Sequence, residues 1–318
     1  MQAIVQERYG SPEVLQMREI PAPTPKPGEI LIRIRATSVT AAETLMRQGK
    51  PWFGRLVLGI TRPKRKVLGL ELAGEVAGMG AVARGFKIGD RVFGFTGFRC
   101  GGYAQYICVP DSASVIAMPA NVSFEEAAAL VDGPTTALFF LRKAGIRPGD
   151  RILVYGASGS IGTAAVQLAA HFGAQVTAVC SAPNFALAKT LGAHRVIDYR
   201  SEDFTREKDA YDIIFDTLGK IPFTKCKGSL RKSGRYLVTV MGAEAIAATL
   251  WTFLGAGKKA IFAMSIDKLG ELREIKELVE RGKHQPVIDR VYPLAEIREA
   301  HAYADTGRKR GNVVITAV

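Results

Sequence analysis

The sequence predicts an α/β chain in which a doubly wound parallel sheet is joined to a second, β-rich domain. Two observations carry this. From about residue 150, strand-like runs at 151–155, 175–179, 195–198, 212–216, 234–240 and 259–264 alternate with helical stretches near 160–171, 183–191, 222–231 and 267–281, the pattern of parallel strands with crossover helices. Before about residue 120, short strands follow one another between Pro and Gly turns, which suggests a small barrel or sandwich. A chain of 318 residues also exceeds the usual size of one domain, so two are expected.

The early strands are Ala3-Ile4-Val5-Gln6, Glu29 to Arg35, Glu71 to Val76, Asp90 to Gly94 and Tyr103 to Val109, with Pro21, Pro23, Pro25 and Pro27 stiffening the first connection. Near Pro119 to Ser123 the pattern turns helical, and Ser123 followed by Glu125 and Glu126 reads as an N-cap with acidic residues in the first turn. Ile152-Leu153-Val154 then runs into Tyr155-Gly156-Ala157-Ser158-Gly159-Ser160-Ile161-Gly162, which opens directly into the helix formers 163–170. A strand that ends in glycines and becomes a helix aims backbone N–H groups and the positive end of the helix dipole at one point, where a phosphate can sit. The G-x-x-G-x-x-G spacing is not the commoner G-x-G-x-x-G, so the inference rests on context. Phe172-Gly173-Ala174 closes the helix and a second β-branched strand, 175–179, follows. The last long helix puts Leu269, Leu272, Ile275 and Val279 on one face, and 287–292, a helix near 294–304 and a strand at 312–316 complete the chain. With six strands already in the parallel sheet, this tail is expected to rejoin the N-terminal domain. The expected division is 1–120 with 266–318, enclosing 121–265.

With 47% hydrophobic and 23% charged residues the composition is that of an ordinary globular protein and excludes a disordered chain. No secretory signal is read after Met1, and the longest apolar stretch, 245–256, is too short for a membrane span and contains Thr249 and Thr252. A cytoplasmic protein without a membrane partner is therefore expected. Cys100, Cys108, Cys180 and Cys226 lie in no C-x-x-C pair, which suggests neither a disulfide framework nor a structural zinc site. A formal charge of +13 favours polyanionic partners, of which a phosphorylated cofactor is the modest version and nucleic acid the bolder one. The densest basic run, Arg62-Pro63-Lys64-Arg65-Lys66, has no interleaved aromatic residue and reads as a solvated loop.

Taken together, 27–34, Gly69 to Val76, Gly89 to Gly94, Gly102 to Tyr106, the glycine turn, Leu191-Gly192-Ala193 and Tyr211 to Gly219 resemble the medium-chain dehydrogenase/reductase superfamily, specifically its zinc-free quinone oxidoreductase group. The resemblance covers essentially the whole chain. It implies a GroES-like catalytic domain around a Rossmann dinucleotide-binding domain, and hydride transfer from a nicotinamide. Zinc-dependent relatives have a cysteine in the segment matching 38–43, a His-Glu pair matching 70–71 and four cysteines near 90–110. Here Leu70 replaces the histidine, 38–40 supply no thiolate, and one leftover carboxylate, Glu71, cannot hold zinc, so no metal is expected.

An NAD-preferring site places Asp or Glu at the end of the second strand, whereas this chain has Cys180-Ser181-Ala182-Pro183-Asn184. NADPH-using relatives show a hydroxyl residue, a lysine and a tyrosine, matched here by Ser181, Asn184 and Tyr199. That points to NADPH, with NADH possible because Asn184 lacks the lysine charge. The resemblance also assigns Thr136, Gly156, Ser158, Gly159, Ser160, Ile161, Leu218, Val240 and Asn312 to the cofactor. Thr40 and Tyr103 are the candidate catalytic hydrogen-bond and proton donors, and Trp52, Phe53 and Phe98 the candidate substrate-pocket walls. The expected reaction is reduction of quinones or α,β-unsaturated carbonyls, with aldehyde or ketone reduction, or nucleotide-regulated RNA binding, as alternatives. A homodimer paired through 258–264 is expected, with the apolar stretch from Ile246 to Leu254 covering either the substrate entrance or the dimer seam.

Overall fold

A computed structural model describes residues 1–253, 255 and 257–317. The chain divides into two compact units, Met1–Asp132 with Asp267–Val318, the outer in sequence, and Gly133–Ile266, the inner in sequence. The first junction falls later than the 120/121 position read from the sequence. Helix Phe124–Ala129, capped by a reciprocal Ser123–Glu126 box, packs on the outer unit's own strands.

In the outer unit, β1 (Gln2–Val5) and β2 (Gln16–Glu19) form an antiparallel pair. The larger sheet contains β3 (Glu29–Ser38), β4 (Glu71–Met79), β5 (Arg91–Phe95), β6 (Tyr106–Pro110) and β7 (Val115–Ala117). The long β3 is its hub, pairing with β4, with β6 and with a strand from the C-terminal tail. Alternation explains its placement: Ile30, Ile32 and Ile34 are buried against Leu72, Val76, Val92 and Val109, while Arg35 turns outward to pair with Glu75 at 2.8 Å.

The inner unit holds β8 (Arg151–Tyr155), β9 (Gln175–Cys180), β10 (Arg195–Asp198), β11 (Tyr211–Asp216), β12 (Leu230–Val238) and β13 (Lys259–Phe262). Every neighbouring pair is parallel, in the order β10-β9-β8-β11-β12-β13. This is the Rossmann order, with the chain reversing direction across the sheet between β8 and β11. The helix expected over 222–231 is cut to Phe223–Cys226, because the carbonyls of Gly228 and Ser229 accept from Asp209, Ala210 and Tyr211 and lead the chain into β12. Residues 243–253 form a helix, so most of the apolar stretch beginning at Ile246 is helical; residue 254 lies outside the described residues.

The tail pairs with the sheet of the outer unit. β14 (Ile288–Pro293) and β15 (Asn312–Thr316) run parallel, and β15 pairs with the end of β3. Arg47 fixes helix Ala41–Gln48 to the tail helix Ile297–Asp305: its guanidinium is fully buried, donates to Gly10 O at 2.7 Å and forms an ion pair with Asp305.

Candidate functional site

The glycine turn lies at the carboxyl end of β8, at the switch point. Gly156 has φ +78°, where an L side chain is strained, and a Cβ there would meet the Leu218 side chain at 2.6 Å. Gly162 is needed for a different reason, since its Cβ would stand 2.1 Å from Gly156 O and push the helix off the turn. The N–H groups of Gly156 and Ala157 both donate to Val179 O at 3.1 Å, and the Thr217 hydroxyl donates to Tyr155 O at 2.8 Å. The turn is thereby stitched to the ends of β9 and β11.

Helix Ser160–His171 starts from Gly159, which offers no side-chain cap. The first-turn N–H groups of any helix lack intrahelical acceptors, so this start is a candidate anion site. The space before it is open, because a Cβ on Gly159 would meet only Gly156 O, at 3.5 Å. Gly133, one turn before Thr136, lies so close to this helix that its Cβ would approach Ser160 Oγ to 2.3 Å. The Leu218 loop adjoins Val240, with a Gly219 Cβ meeting Val240 Cβ at 2.6 Å. Thus the Thr136 helix, Gly156 to Ile161, Leu218 and Val240 gather around one edge of the inner sheet. Asn312 belongs to the outer unit, where its amide donates to Val287 O at 3.0 Å.

Ser181 and Asn184 follow β9. Asn184 Nδ2 donates to Ser181 Oγ at 3.2 Å, while Asn184 Oδ1 is buried without a hydrogen-bond partner. Tyr199 follows β10; its ring is 6.4 Å from that of Tyr155, and Arg200 lies over it at 5.7 Å.

Two carboxylates organise this edge that carried no role in the sequence reading. Asp216 is fully buried and accepts from the N–H groups of Leu218, Gly219 and Ile221 at 3.0, 2.9 and 2.8 Å, which shapes the Leu218 loop. Burial pushes its carboxyl up despite these bonds. The signal was an Asp followed by a Thr-Leu-Gly turn, a spacing suited to an Asx-type loop. Asp198 at the end of β10 accepts from Ala182 N at 3.2 Å and Arg200 N at 2.9 Å. The sequence showed no acid within 180–184, and the sheet brings one there from the next strand.

In the outer unit Thr40 caps helix Ala41–Gln48 in a reciprocal box: Glu43 N donates to Thr40 Oγ1 at 3.3 Å and Thr40 N to Glu43 Oε2 at 2.7 Å. Glu43 also accepts from Leu70 N at 2.6 Å. It is wholly buried, and burial raises its carboxyl to about 7 against these hydrogen bonds. Glu71 accepts from the Ser38 hydroxyl and from Asp132 N, and burial, with Asp132 and Glu43 adding to it, holds it well above the usual range. Tyr103 is in the core. Its hydroxyl donates to Ser38 O at 3.2 Å and lies 3.1 Å from His301 Nε2, and burial, reinforced by Glu43, pushes the phenol well up. Tyr103 is thus held in the core by both partners. Trp52, Phe53 and Phe98, the candidate pocket walls, are all exposed.

No group of three His, Cys, Asp or Glu side chains among the described residues is arranged to hold a metal ion. The fold and this edge define a two-unit, dinucleotide-binding chain. Residues 26–120 match the alcohol dehydrogenase GroES-like domain family, and 191–315 the zinc-binding dehydrogenase family. The chain is 30% identical to a chloroplastic quinone oxidoreductase of Triphysaria versicolor, over 99% of this chain and 98% of the relative. It is 33% identical to the 2-methylene-furan-3-one reductase of Solanum lycopersicum, over 96% and 76%. The solved quinone oxidoreductase of Coxiella burnetii superposes with a TM-score of 0.89 at 28% identity, covering 99% of each chain. The chain belongs to the medium-chain dehydrogenase/reductase family, in its quinone oxidoreductase group.

Gly159→Asp is expected to keep the fold, since Asp is a good N-cap at this extended position, and to weaken dinucleotide binding by roughly tenfold or more through charge repulsion. Calorimetric titration beside a urea melt separates the two effects, and unchanged binding contradicts the anion site. A second expectation concerns Glu43, whose folded pKa near 7 exceeds the reference 4.5, so its contribution to stability is full below 4.5 and lost as pH rises through 7. The stability difference between wild type and Glu43→Gln should shift with pH across that window by up to about 3 kcal/mol, against the wild type. A pH-independent difference in urea unfolding refutes the buried acid.

Proposed function

We propose that this chain is a zinc-independent, NAD(P)H-dependent oxidoreductase that passes hydride to quinones or α,β-unsaturated carbonyls. The observation that carries this is the uncapped helix start at Gly159, open in front and set at the switch point of a Rossmann sheet. Ser158 to Ile161 would hold the pyrophosphate with backbone N–H groups, Leu218 and Val240 would flank the dinucleotide, and Thr136 would approach its nicotinamide half. The bound nicotinamide supplies the hydride. The protein's share is to fix the acceptor beside it and to stabilise the oxyanion or enolate that develops. Thr40 remains the candidate donor for that charge, with its position set by the capping box.

NADPH preference is part of this reading. Ser181, Asn184, Tyr199 and the adjacent Arg200 supply hydroxyl, amide and guanidinium groups suited to a 2′-phosphate, and 180–184 contains no acid. The relatives named above as a quinone oxidoreductase and a furanone reductase support the acceptor class. Another relative, from Arabidopsis thaliana, is named an NADPH-dependent alkenal/one oxidoreductase. Asn312 is retained as a cofactor contact on the family resemblance. Cytoplasmic residence is retained too, although several relatives are named chloroplastic or mitochondrial.

Steady-state kinetics with NADPH and NADH across quinones, enones and aldehydes tests the assignment. NADPH should give the higher kcat/KM with a quinone or enone, and tight nucleotide binding without turnover of any acceptor would sink it. β13 is the end strand of the inner sheet, and a homodimer formed along it is part of the proposal. Light scattering should return twice the chain mass; a monomer at micromolar concentration removes the dimer and leaves the enzyme assignment standing.

A further inference from the structure

Between Glu43 and Glu71 the chain has no acidic residue, yet it carries Arg47, Lys50, Arg55, Arg62, Lys64, Arg65 and Lys66. The middle of this segment is a 3₁₀ turn, Trp52–Gly54, followed by the short helix Arg55–Leu58. Its base is anchored. Arg55 Nε donates to Gly49 O at 3.0 Å with its guanidinium 4.6 Å above the Tyr9 ring, and the Tyr9 hydroxyl donates to Gly59 O at 2.7 Å. The rest projects: Trp52 is 77% exposed, Leu56 66%, Val57 71% and Ile60 69%. Lys50, Arg62, Lys64, Arg65 and Lys66 are exposed beside them, and among the described residues only Lys66 of these five has an acidic neighbour, Glu7 at 3.9 Å.

Large apolar side chains held in water on an anchored turn, flanked by five exposed cations of which only Lys66 has an acidic neighbour among the described residues, are the composition of an interfacial membrane segment. We propose that residues 50–66 form a docking face for an anionic lipid surface. Trp52, Leu56, Val57 and Ile60 enter the boundary between headgroups and acyl chains while the lysines and arginines meet lipid phosphates. A second copy of the chain fits this face poorly, because self-pairing would set like charges against each other. Nucleic acid explains the cations and leaves the aliphatic residues without a role, since Leu56, Val57 and Ile60 offer no ring for base stacking. The expectation of no membrane partner rested on the lack of a spanning stretch. No described helix is long and apolar enough to cross a membrane, but lying on a surface requires neither length nor burial.

The protein has two tryptophans, so Trp251→Phe leaves Trp52 as the sole reporter. With phosphatidylcholine vesicles containing phosphatidylglycerol, its emission should shift to the blue and be quenched by brominated acyl chains. Vesicles of phosphatidylcholine alone should do neither, and high salt should reverse the effect. Lys64→Glu with Arg65→Glu should weaken co-sedimentation roughly tenfold or more, as expected for surface charges at an anionic leaflet, with an unchanged far-ultraviolet circular dichroism spectrum. Lys64→Arg with Arg65→Lys should bind like the parent, and Leu56→Ser with Val57→Ser should bind weakly. No sedimentation with anionic vesicles at low salt overturns the proposal. So does binding indifferent to the serine variant, including the case in which single-stranded RNA is captured in place of lipid, and so does loss of self-association in that variant.

Discussion

The contact on which the site depends is between two pieces of backbone. Gly162 lies where any Cβ would collide with the carbonyl of Gly156, so the first turn of helix Ser160–His171 rests directly on the end of β8. That approach aims the helix dipole, and hydrogen bonds to Val179 O and Tyr155 O extend the same constraint to β9 and β11. Three strand ends and one helix are thereby fixed around a single point of positive potential. A side chain at Gly162 would lift the helix and lose the aim even if the sheet still formed, which separates this glycine from Gly159, where space is left open.

Much of this could be read from residues because it is local. Strand and helix periodicity, the glycine turn and the Ser123 cap each depend on neighbours along the chain, and the parallel order of the inner sheet follows from strict alternation. What stayed hidden depends on residues distant in sequence. Asp198 reaches Ala182 only because β10 lies beside β9, and the end of Tyr103 is buried only because the tail helix brings His301 to it. Aromatic residues gave the least. Trp52 and Phe98 carry the same apolar signal whether they line a cavity, fill a core or face solvent, and in this fold they face solvent.

The outer unit buries two carboxylates, Glu43 and Glu71. Glu43 ties a helix start to the approach of β4, and Glu71 ties the end of β3 to the Asp132 backbone, beyond which Lys268 reaches Asp132 at 2.9 Å. Both carboxylates spend their oxygens on protein donors. That division of labour is what the donor set for a metal would have to displace, and with leucine at position 70 there is no imidazole to begin it. Glu71, at the position of the His-Glu pair of zinc-dependent relatives, serves here as an internal hydrogen-bond acceptor, and His301, held down to about 3 by burial and by Arg47, stays neutral beside Tyr103.

Asp198 bears on the choice of dinucleotide in a way that proximity alone would misjudge. A carboxylate near the end of the second strand favours NAD when its oxygens are free to accept from ribose hydroxyls. Here one oxygen accepts from Ala182 N and the other from Arg200 N. Asp198 therefore acts as a brace between the two strand ends, holding the Ser181 turn and setting the backbone from which Tyr199 and Arg200 project. The Arg200 guanidinium, which follows on the same turn, is the counter-charge that a 2′-phosphate would meet in the proposed NADPH complex. Removing Asp198 would then loosen the turn, whereas removing Arg200 would leave the brace intact and strip the counter-charge. In the proposed NADPH complex, Arg200 supplies the positive charge that Asn184 lacks.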